Sequence, residues 1–236
     1  MSSLGAINFF LGLQVDQTEK GIFLHQSKYV ADILSRFKIE DERIAKNPLW
    51  VNHMITPKNT GAKVNPTIYR AIIGSLMYLT ASRPDIMLAT CLCFHYQAQL
   101  NVNHMLAAKK IMRYLKGTPS LGLWYPCKYG FDLTAYSDSD YGDCKRDFKS
   151  TFGGFQFLGS MFVSWQCKKQ TAVAQSTCEA KYIAAASCMS QVVWIQQQLR
   201  YYETVIWQQP VAEVAVVSGG EQQQRSSNNG DGVGSS

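Results

Sequence analysis

Apolar positions along this chain recur with two periods, and the switches between them lay out the elements. Residues 7–15 alternate loosely, as a strand does, and Glu19-Lys20-Gly21 turns the chain into Ile22-Phe23-Leu24, which predicts a hairpin. Val30, Ile33, Leu34 and Phe37 then fall at i, i+3, i+4 and i+7, one face of an amphipathic helix, with Ser27 as its expected N-cap. Residues 43–66 hold three prolines and a glycine and read as a connecting loop. Helices are predicted from about Thr67, from about Pro84 and over 103–116, the last stopped by Lys116-Gly117-Thr118-Pro119. The period then returns to that of strands at 121–125 and 132–138, and at 152–158 and 161–167 around a Gly159-Ser160 turn. Residues 175–202 predict one long helix with an apolar stripe at Cys188, Val192, Ile195, Leu199 and Tyr202. Beyond it, residues 218–236 contain one apolar residue, Val233, and are expected to be disordered because they have so little to bury.

Composition narrows this picture only a little. The 236 residues are 46% apolar, enough for a real core, and the formal charge of +6 suits an acidic partner and an ordinary basic protein about equally. Seven cysteines occur without a Cys-x-x-Cys pair, and the four histidines are not at zinc-ligand spacing from them, so buried thiols in a reducing compartment are expected. Met1–Leu13 lacks the basic start of a signal peptide, and no window approaches a membrane span, so the expected setting is intracellular with no membrane partner.

Two places carry candidate chemistry. In 132–138, Asp132, Thr134, Tyr136 and Asp138 share one strand face, while Leu133 and Ala135 take the other. Asp138 therefore ends a strand on its polar face, with Asp140 just past it; an acid there, facing an acid on a helix, is how a polynucleotide-cleaving site holds divalent ions, although a solvated strand end would look the same. On the helix 103–116, Lys109, Arg113 and Lys116 form a stripe opposite Met105, Ala108, Ile111, Met112 and Leu115. That stripe suits phosphate contacts and also suits a plain solvated face, and the Lys168-Lys169 pair has the same two readings.

The order of short blocks decides more than any one of them. Tyr136-Ser137-Asp138-Ser139-Asp140-Tyr141, Lys149-Ser150-Thr151-x-Gly153, Phe157-Leu158-Gly159, Val163-Ser164-Trp165, Lys168-Lys169-Gln170 and Glu179-Ala180-x-Tyr182-Ile183-Ala184-Ala185 together resemble the ribonuclease H region of copia-type retrotransposon Pol polyproteins. Upstream, Phe9-Phe10-Leu11-Gly12-Leu13-Gln14-Val15, Gln26-Ser27-Lys28-Tyr29, Ile73-Gly74-Ser75-Leu76-Met77-Tyr78-Leu79, Arg83-Pro84-Asp85-Ile86 and Arg113-Tyr114-Leu115-Lys116-Gly117-Thr118 resemble the segment after the reverse-transcriptase palm. The resemblance covers roughly residues 5–203.

It implies an α+β protein in three parts: a helical thumb/connection region over 1–130, a truncated ribonuclease H-like mixed sheet with one long helix over 131–203, and an unrelated, largely disordered tail over 204–236. Such a truncation is expected to leave a sheet edge unpaired. The family cuts the RNA strand of RNA–DNA hybrids with four acids and two Mg²⁺ ions. Its first acid maps onto Asp138, and its second onto the position held here by Lys181 in Glu179-Ala180-Lys181-Tyr182. Its third lies at a Cys-Asp-Asn-like strand end, where this chain runs into Trp207-Gln208-Gln209-Pro210 instead. Phe148, Phe152 and Met105 stand where Arg, Ser and Trp are expected, and the polymerase aspartates have no counterpart.

Glu179 lies about 200° around the helix from Lys181 and so is not expected to replace the lost acid. The expectation is a catalytically inactive fragment that binds no Mg²⁺, with Asp138 as the remnant ligand and Lys181 facing it as an ion pair where the family has a metal. It would take RNA–DNA hybrid or other nucleic acid weakly through Lys109, Arg113, Lys116, Lys168 and Lys169, with no small-molecule substrate. A retained nucleic-acid-binding module, and a nuclease whose missing acids come from a partner chain, are the other two readings.

Overall fold

The computed structural model describes residues 7–39, 43–50, 64–98, 100–128, 130, 132–144, 146–201 and 212–216. A first sheet joins β1 (Phe9–Phe10), β2 (Leu13–Thr18), β3 (Gly21–His25) and β4 (Gly122–Pro126) in that order, all antiparallel. Between β3 and β4 the chain forms α1 (Ser27–Arg36), α2 (Pro66–Leu79), a short 3-10 turn at Pro84–Ile86, α3 (Met87–Phe94) and α4 (Val102–Gly117). A second sheet has the order β7-β6-β5-β8, from β5 (Leu133–Ser139), β6 (Thr151–Leu158), β7 (Met161–Lys169) and β8 (Ala212–Val216), with α5 (Thr177–Tyr201) preceding β8. Among the described residues no helix is long and apolar enough to cross a membrane.

Local sequence sets most of these ends. The side chain of Asn65 accepts from the Thr67 and Ile68 N–H groups, and Pro66 occupies the first turn, where it needs no donor. Asn101 and His104 form a reciprocal capping box at the start of α4. The expectation for Ser27 is corrected: Gln26 is the N-cap of α1, and the Lys28 N–H is taken by the Gln14 side chain from β2, 2.8 Å away. Ser27 is the first helical residue, and its hydroxyl lies 2.7 Å from His25 Nδ1 instead. Gly12 adopts a positive φ where a side chain would collide with the Tyr78 hydroxyl, which donates to the Leu11 carbonyl.

The helices enclose one core, in which Ile33, Tyr69, Leu76, Ile111 and Leu115 are buried. Arg83 ties the connections around it together. Its guanidinium is 1% exposed, grips Asp85 through two nitrogens at 2.9 and 2.7 Å, donates to the carbonyl and hydroxyl of Thr118 at 2.8 Å each, and lies over the Tyr114 ring. This planar fork is the physical content of the Arg83-Pro84-Asp85 and Lys116-Gly117-Thr118 blocks. Residues 43–50, read as loop, also pack: Ala45 N–H donates to Arg113 O at 3.3 Å, and Lys110 Nζ sits 4.3 Å from the centre of the Trp50 ring.

In the second sheet the predicted strand parity is observed. Leu133, Ala135 and Ser137 are buried, while Tyr136 and Asp138 are exposed. On the buried side Leu133 and Ala135 meet Cys188, Val192 and Ile195 of α5, the predicted stripe, with Leu199 partly buried beside them. Tyr202, the stripe's last member, lies outside the described residues. The expected open edge is a correction: β8 pairs in parallel with β5, from Leu133 opposite Ala212 to Ser137 opposite Val216. Residues 212–216 are thus a strand inside the segment read as unrelated tail; residues 217–236 lie outside the described residues. The two units touch through Trp165 Nε1, which donates to Thr80 O at 2.8 Å, and Tyr125, whose hydroxyl donates to Phe162 O at 2.9 Å.

Candidate functional site

A cavity of about 670 Å³ opens between α3 and the ends of β5, β6 and β7. Leu88 and Leu92 form its helical wall, and Asp138, Gly153 and Cys167 its sheet wall. Lys181, in the second turn of α5, closes one side, so the structure brings Asp138 and Lys181 to the same cleft. Among the described residues no ion pair joins them. Asp138 instead accepts the Ser139 N–H at 2.8 Å. Gly153, paired directly with Asp138, leaves the floor open because it has no side chain.

The acids around this cleft have separate duties. Asp140 accepts the Asp143 N–H through one carboxyl oxygen at 3.2 Å and the Thr151 N–H through the other at 2.9 Å, which fixes the turn after β5. Burial pushes its carboxyl upward, against the lowering effect of these two N–H groups. Glu179 is exposed and accepts the Gln175 N–H at 2.5 Å, while its own N–H donates to Ser176 Oγ at 3.1 Å. It caps α5 and does not line the cleft. Tyr141 fastens the same corner by donating to the Gln175 carbonyl at 3.1 Å.

This donor set does not fit a two-metal centre. Asp140 has both oxygens tied to backbone, and the ammonium of Lys181 shares the cleft with Asp138. At ~4 Å, a lysine opposes a divalent ion by several kcal/mol even at an effective dielectric of 20. Among the described residues no group of three or more His, Cys, Asp or Glu side chains could hold a metal ion.

The basic candidates also separate. Lys109, Arg113 and Lys116 keep to one side of α4, but each is half-buried and each has partners in the structure, so they are not an open solvated stripe. Lys169 donates to both carboxyl oxygens of Asp147 at 3.1 Å and to Cys144 Sγ at 3.0 Å; it is committed to a loop. Lys168 is exposed. The strand face that carries Asp138 also carries Tyr136, Phe155, Phe157, Phe162 and Trp165, linked ring to ring with centroids 4.7–6.0 Å apart. Each of these aromatics was visible in the sequence; their grouping emerges only from the strand register.

No family model matches the chain, and no solved structure matches it. It is 34% identical over 189 residues to the retrovirus-related Pol polyprotein from transposon RE1 of Arabidopsis thaliana, which covers 80% of this chain but only 13% of that protein. A second relative, the retrovirus-related Pol polyprotein from transposon TNT 1-94 of Nicotiana tabacum, is 33% identical, with 85% of this chain and 16% of that protein covered. An uncharacterised mitochondrial protein of Arabidopsis thaliana is 32% identical over 194 residues, and there the match covers 80% of the relative as well.

The chain belongs to the copia-type retrotransposon Pol polyproteins. It spans about one-eighth of the length of the Pol relatives from Arabidopsis. Within this Pol segment, two features were missed from sequence: the Arg83 fork, whose partners lie two and 35 residues away, and the approach of Cys91 to Cys167. The spacing of Cys91 and His95, one helical turn, was the available signal for the second.

Proposed function

We propose that this Pol-derived chain is a non-catalytic remnant of the region that joins a reverse transcriptase to a ribonuclease H, and that its second sheet is ribonuclease H-like. Supporting the architecture is the order of elements: three antiparallel strands, a long helix, then a strand parallel to the first. Supporting the loss of activity is one juxtaposition above all, Lys181 in the cleft of Asp138, while Glu179 is spent on the helix cap. The ladder adds to this. Ser137 pairs with Val216, and the residues that follow Val216 in sequence, Val217 and Ser218, are not acids.

Two-metal cleavage needs both ions held about 3.5–4 Å apart by surrounding carboxylates, and Asp138 alone does not supply them. The test is a labelled RNA–DNA hybrid incubated with Mg²⁺ and the chain, its Lys181→Glu variant and its Asp138→Asn variant. None should cleave, and Lys181→Glu should not rescue. Cleavage by the unmodified chain that disappears in Asp138→Asn would overturn the reading.

A second reading keeps nucleic-acid binding without cleavage. The aromatic face that carries the exposed Tyr136 and Phe155 favours it, because rings offer stacking surface. Salt-dependent retention of hybrid by the intact chain supports this second reading; retention that does not respond to salt refutes it.

A further inference from the structure

The cleft holds a feature that neither polymerase nor nuclease chemistry uses. Cys91 belongs to α3, on the helical side, and Cys167 to β7, on the sheet side. Both are buried, and 76 residues of chain separate them. The Cys91 thiol donates to the Cys167 carbonyl oxygen at 3.2 Å, so the two residues meet directly where α3 packs on β7. On the other side Cys91 Sγ lies 3.6 Å from His95 Nε2, one turn further along α3. Cys167 also lines the 670 Å³ cleft, which gives a small molecule a way in.

We propose that Cys91 and Cys167 are a peroxide-reactive thiol pair that closes to a reversible disulfide, clasping the helical wall of the cleft to its sheet wall. The arrangement divides the roles. The approach of Cys167 favours the thiolate of Cys91 against the opposing effect of burial, and His95 and Lys169 add to it. Cys167 is driven the opposite way, first by that same approach and then by burial, with the negative charge of Asp140 adding to both, so it keeps its proton. Cys91 is the attacking sulfur and Cys167 the resolving one.

The oxidant is a small hydroperoxide, with hydrogen peroxide the simplest. The Cys91 thiolate attacks one peroxide oxygen, the O–O bond breaks, and the released hydroxide takes up a proton as water, leaving Cys91 as a sulfenic acid. The Cys167 sulfur then attacks the Cys91 sulfur, the S–O bond breaks, and that hydroxide leaves as water with the Cys167 proton. Two thiols and one peroxide give one disulfide and two waters; the sulfurs are oxidised and the peroxide is reduced.

The same helix provides an internal control. Cys93, two residues on, is fully buried on the far side of α3, and burial pushes its thiol up to about 12. Cys127 and Cys178 are exposed. If burial or exposure alone governed reactivity, one of these would react in place of Cys91.

The experiment treats the intact chain with a slight excess of hydrogen peroxide, blocks the remaining thiols, and maps chymotryptic peptides without reduction; cleavage after Leu92 separates Cys91 from Cys93. The expected result is a cross-linked peptide pair holding Cys91 and Cys167, lighter by two hydrogens and lost on treatment with dithiothreitol. The link should vanish in Cys91→Ser and in Cys167→Ser and persist in Cys93→Ala. The oxidised chain should also unfold at a higher urea concentration than the reduced one, because the bond closes a long loop. Oxidation of Cys91 to sulfinic acid without a link would overturn the proposal. So would oxidation confined to Cys127 and Cys178, or a link to any other cysteine. The cross-link is read without nucleic acid, so it does not depend on the functional reading above.

Discussion

Among the described residues, the helical half of this chain closes eighteen buried side chains into one core, whereas the core between the second sheet and α5 has seven. The helical half is covered from several directions: α1, α2, α3 and α4 surround Leu76 and Ile111, and Arg83 ties the connections between helices. The sheet is packed by α5 on one face and meets the helical half only in part, through Trp165, on the other. Its other face leaves Tyr136 and Phe155 at 39% and 38% exposed. The two halves therefore draw their stability from different places. The first has volume to fill, so its weak points are single core side chains. The second is a thin layer, so backbone pairing at its edge matters as much as its side chains.

The largest expected effect is a cavity in the helical core. Ile111→Ala should cost about 4 kcal/mol, because the residue is fully enclosed and its surroundings cannot all collapse. Val192→Ala in the sheet core should cost about 2 kcal/mol, from fewer removed atoms and a shallower core. Urea unfolding followed by near-ultraviolet circular dichroism measures both. Equal costs would erase the contrast between the halves.

Next comes Arg83→Met, expected to cost about 3 kcal/mol, the low end for breaking a buried pair because Asp85 is 30% exposed. It also has a pH signature. Burial raises the Asp85 carboxyl, but the hydrogen bonds and charge of Arg83 overcome this, and the net shift is downward. A carboxyl lowered in the fold contributes stability that is full above its unfolded value of about 4 and is lost as pH falls through the folded value. The unmodified chain should therefore lose stability on acidification from about pH 5 downward more steeply than Arg83→Met does. Parallel pH profiles would show that the fork does not hold Asp85.

Much of this fold was legible because its helices are amphipathic and its strands keep strict parity. Leu133, Ala135 and Asp138 fall on the faces their alternation assigns, and the stripe of α5 packs as its spacing implies. Other features depended on partners far away in sequence. Arg83 meets Thr118 across 35 residues, and nothing local announces that a buried cation will be satisfied there. Lys169 looked like half of a basic pair, yet its charge is consumed by Asp147. Trp50 lay in a proline-rich stretch that reads as loop, but its ring covers Lys110. The strand 212–216 was overlooked because it follows polar residues and carries no motif, although Val211-Ala212-Glu213-Val214-Ala215-Val216 is a fair β-former.

That strand supplies a test on the sheet side of the comparison. Consecutive residues in a strand aim their N–H groups to opposite sides, so replacing both Val214 and Ala215 by proline must remove at least one ladder bond to β5. The expected cost is about 1–2 kcal/mol, close to that of one or two backbone hydrogen bonds. Hydrogen exchange of the β5 amides, 133–137, should quicken while the amides of α4 keep their protection. Unchanged exchange in β5 would mean that the edge of the sheet does not rely on this pairing.

The smallest expected effect concerns nucleic acid, and it separates neighbouring lysines. If the intact chain retains RNA–DNA hybrid, each phosphate neutralised adds roughly 0.7–0.9 to the steepness with which log affinity falls against log salt. Lys168 is exposed, so Lys168→Ala should reduce that slope by about one such step. Lys169 is paired with Asp147 at 3.1 Å, so Lys169→Ala should leave the slope nearly unchanged and instead loosen the loop around Cys144. Neutralising Lys109, Arg113 and Lys116 together should change the slope by less than three steps, because each is half-buried with partners inside the fold. A full three-step loss would mean that the partners of α4 release these side chains when nucleic acid arrives, and that the basic face of the helical half, not the open face of the sheet, is the binding surface.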